Sequence, residues 1–337
     1  MDALMTPWLG QPTWMWLVFI TLVGALLAFD LGVLDRLRRR RADAAGVAAE
    51  DQVIGIGSSL KLSAFYIAVA LAFGGWVWFT LGAESGMAYL TGFALEKALA
   101  LDNVFVISVI FASFAIPCHL QHRVLFWGIL GVIVLRGLMI GLGTAFVTQF
   151  DWIMWIFGAF LLLTGIKLLR GGHETPDMQA HPAVRLLRRF VPVSPTLDGQ
   201  KFLTRLPGAR GRPRLHATPL LLALLVVEFA DVIFAVDSIP AIFAITQDPF
   251  IVYTSNIFAI LGLRALYFAL AAMVHRFEAL KPALALVLVF IGAKIFYAQF
   301  YGKVDPAISL TVTLGILAGG VLLSLWRTRN DPTPDAS

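Results

Sequence analysis

Two stretches of this sequence hold carboxylates in strongly apolar surroundings. Glu96-Lys97-Ala98-Leu99-Ala100-Leu101-Asp102-Asn103 and Asp231-Val232-Ile233-Phe234-Ala235-Val236-Asp237-Ser238 each carry two acids six residues apart, the second followed by a small polar residue. Charges inside membrane-length apolar runs persist where they pair with one another or line an ion path. On a helix Glu96 shares a face with Asn103, and Asp231 with Ser238; Glu228, three residues before Asp231, joins the second set. Asp102 and Asp237 point about 120° away from these faces on a regular helix. Bringing them to the same site needs a helix break, and Pro240 is the expected one, because it cannot bond the Val236 carbonyl beside Asp237. Phe105 stands at the matching place in the first stretch, so only the second helix is expected to kink.

The donor types indicate the ion. All six histidines (His119, His122, His173, His181, His216, His275) fall in loops or at a helix end, and the spans contain no cysteine. Carboxylate, amide and hydroxyl oxygens remain, a set that suits Mg²⁺, Ca²⁺ or Mn²⁺ rather than Zn²⁺ or Cu⁺. Glu96, Asp102, Asn103, Glu228, Asp231, Asp237 and Ser238 are the candidate ligands, with Asn256 a further neutral oxygen. Lys97, Arg136, Arg264 and Lys294 are the expected counter-ions, able to neutralise the acids and hold an empty site closed. Lys167 stands near enough to a membrane edge to snorkel. Asp30, near the inner end of the first helix, fits an entry group for the ion, but the preferred reading is a helix-end acid facing water.

These residues need a membrane-spanning scaffold. Of the 337 residues 59% are hydrophobic and 14% charged, and the mean hydropathy is +0.82, well beyond the ~25% charge of soluble domains. The fold class is an all-α, polytopic membrane helix bundle forming one transporter domain over residues 1–337. A spanning helix takes about 20 apolar residues, which predicts about nine: Trp14–Leu34, Leu62–Leu81, Met87–Phe114, Val124–Phe146, Trp152–Leu169, Thr218–Ile245, Val252–Val274, Ala283–Phe300 and Ile308–Trp326. No basic segment precedes the first run, so it is read as a span and not a signal peptide. The only cysteine, Cys118, excludes an internal disulfide or a CxxC site.

The net charge of +5 resides mainly in connecting loops, which argues for topology rather than for nucleic acid. Arg36, Arg38–Arg41, Lys61, Arg123, Arg170–Arg214, Arg276, Lys281, Arg327 and Arg329 fall on one side; Lys303 alone stands clearly on the other. The positive-inside rule then puts the N-terminus outside and the C-terminus in the cytoplasm. The connection over residues 170–217 is proline-rich and reads as a cytoplasmic loop. Within it Ala183, Leu186, Leu187 and Phe190 recur at helical spacing between arginines, which fits either a short surface helix or a solvated connector. Gly55-Ile56-Gly57 lacks the third glycine and the strand of a dinucleotide loop.

The echo of the acidic motif extends to two further helices. Leu135-Arg136 matches Leu263-Arg264, and Gly165-Ile166-Lys167 matches Gly292-Ala293-Lys294. Two units result, about 87–170 and about 218–300, each an acidic, an Arg and a Lys helix. Three spans is an odd number, so the second unit enters the membrane inverted, an arrangement that puts substrate sites near the midplane.

The motif Glu96-Lys97-Ala-Leu-Ala-Leu-Asp102-Asn103-Val, with Val-Leu-Arg136-Gly and Phe-Gly-Ala-Phe-Leu-Leu-Leu-Thr-Gly-Ile-Lys167, resembles the TerC family. So do Asp231-Val-Ile-Phe-Ala-Val-Asp237-Ser-Ile-Pro240 and Thr254-Ser-Asn256-Ile-Phe-Ala-Ile-Leu-Gly-Leu-Arg264. The resemblance is closest to the Alx-type branch and covers nearly the whole chain. It implies a multi-pass inner-membrane protein of a family labelled tellurium-resistance or redox-modulator, several of whose members are assigned to Mn²⁺ export. An acidic pocket should repel the tellurite oxyanion, so the cation reading is preferred. The resulting expectation is export of a hard divalent cation, Mn²⁺ by resemblance, through proton antiport. No permanently bound cofactor and no obligate protein partner are inferred; the partners are the metal ion, protons and the bilayer. The competing expectation is a non-transporting scaffold or redox modulator whose buried charges only hold helices together. An enzyme is not expected, since the spans contain no nucleophile–base set, and no GxxxxGK[ST] phosphate loop points to ATP.

Overall fold

The computed structural model describes residues 6–45, 56–150, 152–170, 192–194, 196–207, 213–270, 280–302 and 304–330. Its helices are α1 (Thr13–Ala45), α2 (Ile56–Leu81), α3 (Ala83–Ser113), α4 (Cys118–Gln149) and α5 (Ile153–Leu169), followed by α6 (Pro219–Phe243), α7 (Pro249–Ile260), α8 (Leu263–Leu270), α9 (Leu280–Tyr301) and α10 (Pro306–Asn330). Among the described residues seven segments are long and apolar enough to cross a membrane: Thr13–Asp30, Gly57–Leu81, Cys118–Gln149, Pro219–Phe243, Pro249–Phe268, Pro282–Tyr301 and Pro306–Ser324. The other two expected spans fall on α3, whose Glu96, Lys97 and Asp102 lower its hydropathy, and on α5, which is 17 residues long. The chain is an all-α membrane protein. Its lipid-facing surface is apolar, with Val134, Leu138, Leu142 and Leu163 all more than half exposed, an exterior suited to hydrocarbon and not to water.

Where helices meet, the core is aromatic or glycine-lined. Trp16, Phe19, Phe73, Tyr89, Phe250 and Phe258 pack α1, α2, α3 and α7 into one cluster. Around it α3 packs on α7, α4 on α6, and α5 on α9. The α5–α9 contact is the closest. A Cβ built on Gly165 would stand 2.9 Å from the Ala285 carbonyl and 2.7 Å from Val289 Cγ2; one on Gly292 would stand 3.0 Å from the Gly158 carbonyl and 2.9 Å from Leu162 Cγ. As numbers rise on one helix they fall on the other, so the two run antiparallel.

Three local features add to the sequence expectations. Pro240 lies inside α6, which continues to Phe243; a proline in the last turn forfeits only one ladder bond. A break occurs in the seventh expected span, where Leu261 and Gly262 separate α7 from α8; Gly262 has φ +78 with its Cα against the Tyr66 ring, a position that only glycine fills easily. The expected loop over 170–217 ends in an antiparallel ribbon of Leu203–Pro207 and Pro213–Ala217. There the half-buried Asp198 accepts from Thr204 Oγ1 (2.7 Å) and Lys201 Nζ (3.1 Å), which hold its carboxyl below the usual range. The amphipathic run at 183–190 lies outside the described residues.

Candidate functional site

The two acidic stretches meet on an arginine. α3 brings Glu96, α6 brings Asp231 and Ser238, α7 brings Asn256, and all four converge on Arg136 of α4, whose side chain is 1% exposed. Nη1 pairs with Glu96 Oε1 and donates to Asn256 Oδ1 at 2.5 Å and Ser238 Oγ at 3.3 Å. Nη2 donates to Asp231 Oδ1 at 3.1 Å and Nε to Oδ2 at 3.3 Å, a fork-to-fork contact. A buried guanidinium is therefore surrounded by five oxygens from three helices. Such burial is tolerable only with this degree of pairing.

Beside this cage two buried oxygens have no hydrogen-bond partner among the described residues. They are Asn103 Oδ1 and Glu228 Oε2. Asn103 and Asp231 line a narrow cavity of about 30 Å³ with Gly128, Val132, Phe234 and Leu263. Glu228 lies against α4 at Gly128 and Gly131, where its carboxylate fills the place a Cβ of Gly131 would take. Among the described residues no three acids or histidines form a ready-made metal cluster, since the guanidinium stands between Glu96 and Asp231. Asp102 and Asp237 belong to α3 and α6, and their side chains lie outside the described residues.

The remaining cations do not sit on these acids. Lys97 Nζ donates to the Ala259 and Leu261 carbonyls at 3.1 and 3.5 Å, so it caps the end of α7 at the break, where ladder donors are lost. Arg264 pairs with Asp30: Nη2 lies 2.5 Å from Asp30 Oδ2 and 3.1 Å from its main-chain oxygen. Asp30 is thus 5% exposed and paired, and the expectation of a water-facing acid is corrected. Its signal was available: an arginine in one apolar run needs an acid from another. Lys294 donates to Ser309 Oγ at 3.0 Å in a polar cavity of about 110 Å³ lined also by Glu84, Thr91 and Thr246. On the same helix as Glu84 and Thr91, Gly92 leaves room for Ile242 and Ser255 to pack against α3. Lys167 is exposed in the last turn of α5.

The TerC integral membrane protein family matches residues 81–332, which include every member of the cage. The chain belongs to the TerC family. It is 44% identical over 330 residues to "Uncharacterized membrane protein STKORF319" of Myxococcus xanthus, covering 98% of this chain and 97% of that one. Over 324 residues it is 44% identical to the Escherichia coli (strain K12) protein named "Putative membrane-bound redox modulator Alx", covering 94% and 95%. A Rickettsia bellii membrane protein is 44% identical over 313 residues, covering 93% and 97%. No solved structure matches the chain.

Proposed function

We propose that this TerC-family protein exports a hard divalent cation, with Mn²⁺ the first candidate, and that Arg136 occupies the cation's place in the resting cage. The carrying observation is the five-oxygen, cation-filled set of Glu96, Asp231, Ser238 and Asn256 around a guanidinium. Oxygen-only ligation suits Mg²⁺, Ca²⁺ and Mn²⁺. Asn103 Oδ1 and Glu228 Oε2, each without a hydrogen bond among the described residues, are the ligands an incoming ion would recruit. When Arg136 leaves, the acids need a replacement positive charge, and a metal ion or protons can supply it. Carboxylates that bind the two alternately give proton antiport. Expelling a divalent ion against an inside-negative potential costs about 4.6 kcal/mol per 100 mV, twice the single-charge cost, which a proton gradient can offset.

This reading carries the inner membrane, nine crossings, an outside N-terminus and a cytoplasmic C-terminus, on the loop charges given above. Two inverted units are supported by the reciprocal glycine contacts of α5 with α9: the matching helices of the two units run antiparallel. A pure scaffold, the alternative, accounts for the ion pairs but leaves Asn103 Oδ1 and Glu228 Oε2 buried without a purpose. The test is proteoliposomes loaded with Mn²⁺, Ca²⁺ or Mg²⁺ under an opposing proton gradient, with metal and internal pH followed together. Gradient-dependent Mn²⁺ movement with counter-moving protons is expected. No movement of any ion by folded protein would leave the scaffold reading.

A further inference from the structure

Arg136 and Arg264 are the matching residues of the two units, yet they do different things in this structure. Arg136 binds one acid of its own unit, Glu96, and one of the other, Asp231. Exchanging the units turns that set into Arg264 with Asp231 of its own unit and Glu96 of the other. The carboxylate pair is the same in both cases. Two guanidinium groups cannot fill one five-oxygen cage, so one arginine must always be held elsewhere.

We propose that Asp30 is a positioning residue that parks Arg264, and that Arg264 replaces Arg136 between Glu96 and Asp231 when the units exchange conformations during the cycle. The inference rests on the inverted-unit transporter reading above and names the counter-ion for the opposite-facing state. A buried arginine released from the cage needs an acid, because an unpaired charge at this depth is costly. Asp30 supplies it from α1, which belongs to neither unit.

The geometry around this pair is that of a looser hold. Arg136 binds Asp231 through two nitrogens, whereas only Nη2 of Arg264 reaches Asp30. Tyr66 lies beside the same carboxylate, and the Phe126 ring lies under the guanidinium at 5.7 Å. Arg264 Nε and Asp30 Oδ1 have no hydrogen bond among the described residues. Arg264 also stands two residues after Gly262, whose positive φ marks the break between α7 and α8. Such helix-end positions absorb large dihedral changes in hinged motions. Tyr66 packs its ring on Gly262 and donates its hydroxyl to the Leu26 carbonyl at 3.3 Å, one turn before Asp30. The helices outside the repeat thus grip both the break and the parked arginine.

The test is a double-mutant cycle on the full chain in nanodiscs, with Asp30→Asn, Arg136→Gln and the pair, read by thermal unfolding. Each single variant is expected to lower Tm. Asn at 30 releases Arg264, so the pair is expected to recover about half of the Arg136→Gln loss instead of adding a second one. If Arg136→Gln does not accumulate as folded protein, Arg136→Gln combined with Glu96→Gln, which leaves only Asp231 stranded for Arg264 to meet, takes its place. Additive losses in the pair would overturn the exchange. Neither measurement needs transport: recovery in a protein that moves no ion would retain the exchange and remove the transporter reading, while additivity in an active exporter would remove the exchange alone.

Discussion

Arg136 and Asp231 meet fork to fork, Nη2 to Oδ1 at 3.1 Å and Nε to Oδ2 at 3.3 Å, joining α4 to α6. Both side chains are at most 9% exposed. Removing one partner of such a buried pair leaves the other charge stranded. Arg136→Ala is therefore expected to lower stability by about 3–5 kcal/mol, measured as unfolding of purified protein in detergent or nanodiscs. Arg264→Ala should act in the same direction through Asp30.

Asp102→Asn and Asp237→Asn should instead abolish cation movement while leaving membrane insertion intact, because each keeps the side-chain volume and removes a ligand charge. The recurrence of the two acids in both motifs motivates this. Normal transport by both folded variants would put the site elsewhere.

Gly131→Ala tests Glu228. The new methyl group would occupy the space of the Glu228 carboxylate, the far end of a flexible side chain, so the fold should lose little. Metal affinity should fall while Tm changes by a few degrees at most, about 1 kcal/mol. An unchanged KM for Mn²⁺ would remove Glu228 from the ligand set.

Gly165→Val and Gly292→Val should damage the protein alike. Each side chain would enter backbone of the partner helix, Ala285 and Val289 in one case, Gly158 and Leu162 in the other. Overpacking of this kind typically costs about 1–3 kcal/mol, and similar losses in both variants are the signature of a two-fold contact. A loss confined to one variant would argue against equivalent units.

Reporter fusions complete the set. A fusion at Arg188 or Ser337 should report the cytoplasm and one at Met1 the outside. A periplasmic signal at Arg188 would contradict the inversion of the second unit.

The membrane class, the helical spans and the paired acidic motifs were legible in the sequence, because burying 20 apolar residues in hydrocarbon is a local property and a carboxylate within them is conspicuous. The proposed duplication rests on the sequence in the same way: Arg136 and Arg264, Gly165 and Gly292 keep their types and order. Which partner each charge chooses was not legible. Lys97 adjoins Glu96 in the chain but points at the Ala259 carbonyl of α7, and Arg264, the counterpart of Arg136, turns to Asp30 some 234 positions away. Nor was the break at Gly262 legible, because it depends on Tyr66, distant in the chain, packing where a side chain would stand beside a positive φ. Residue types and spacing determine that charges must be paired inside a membrane; only the tertiary packing of helices distant in the chain decides which pairs form.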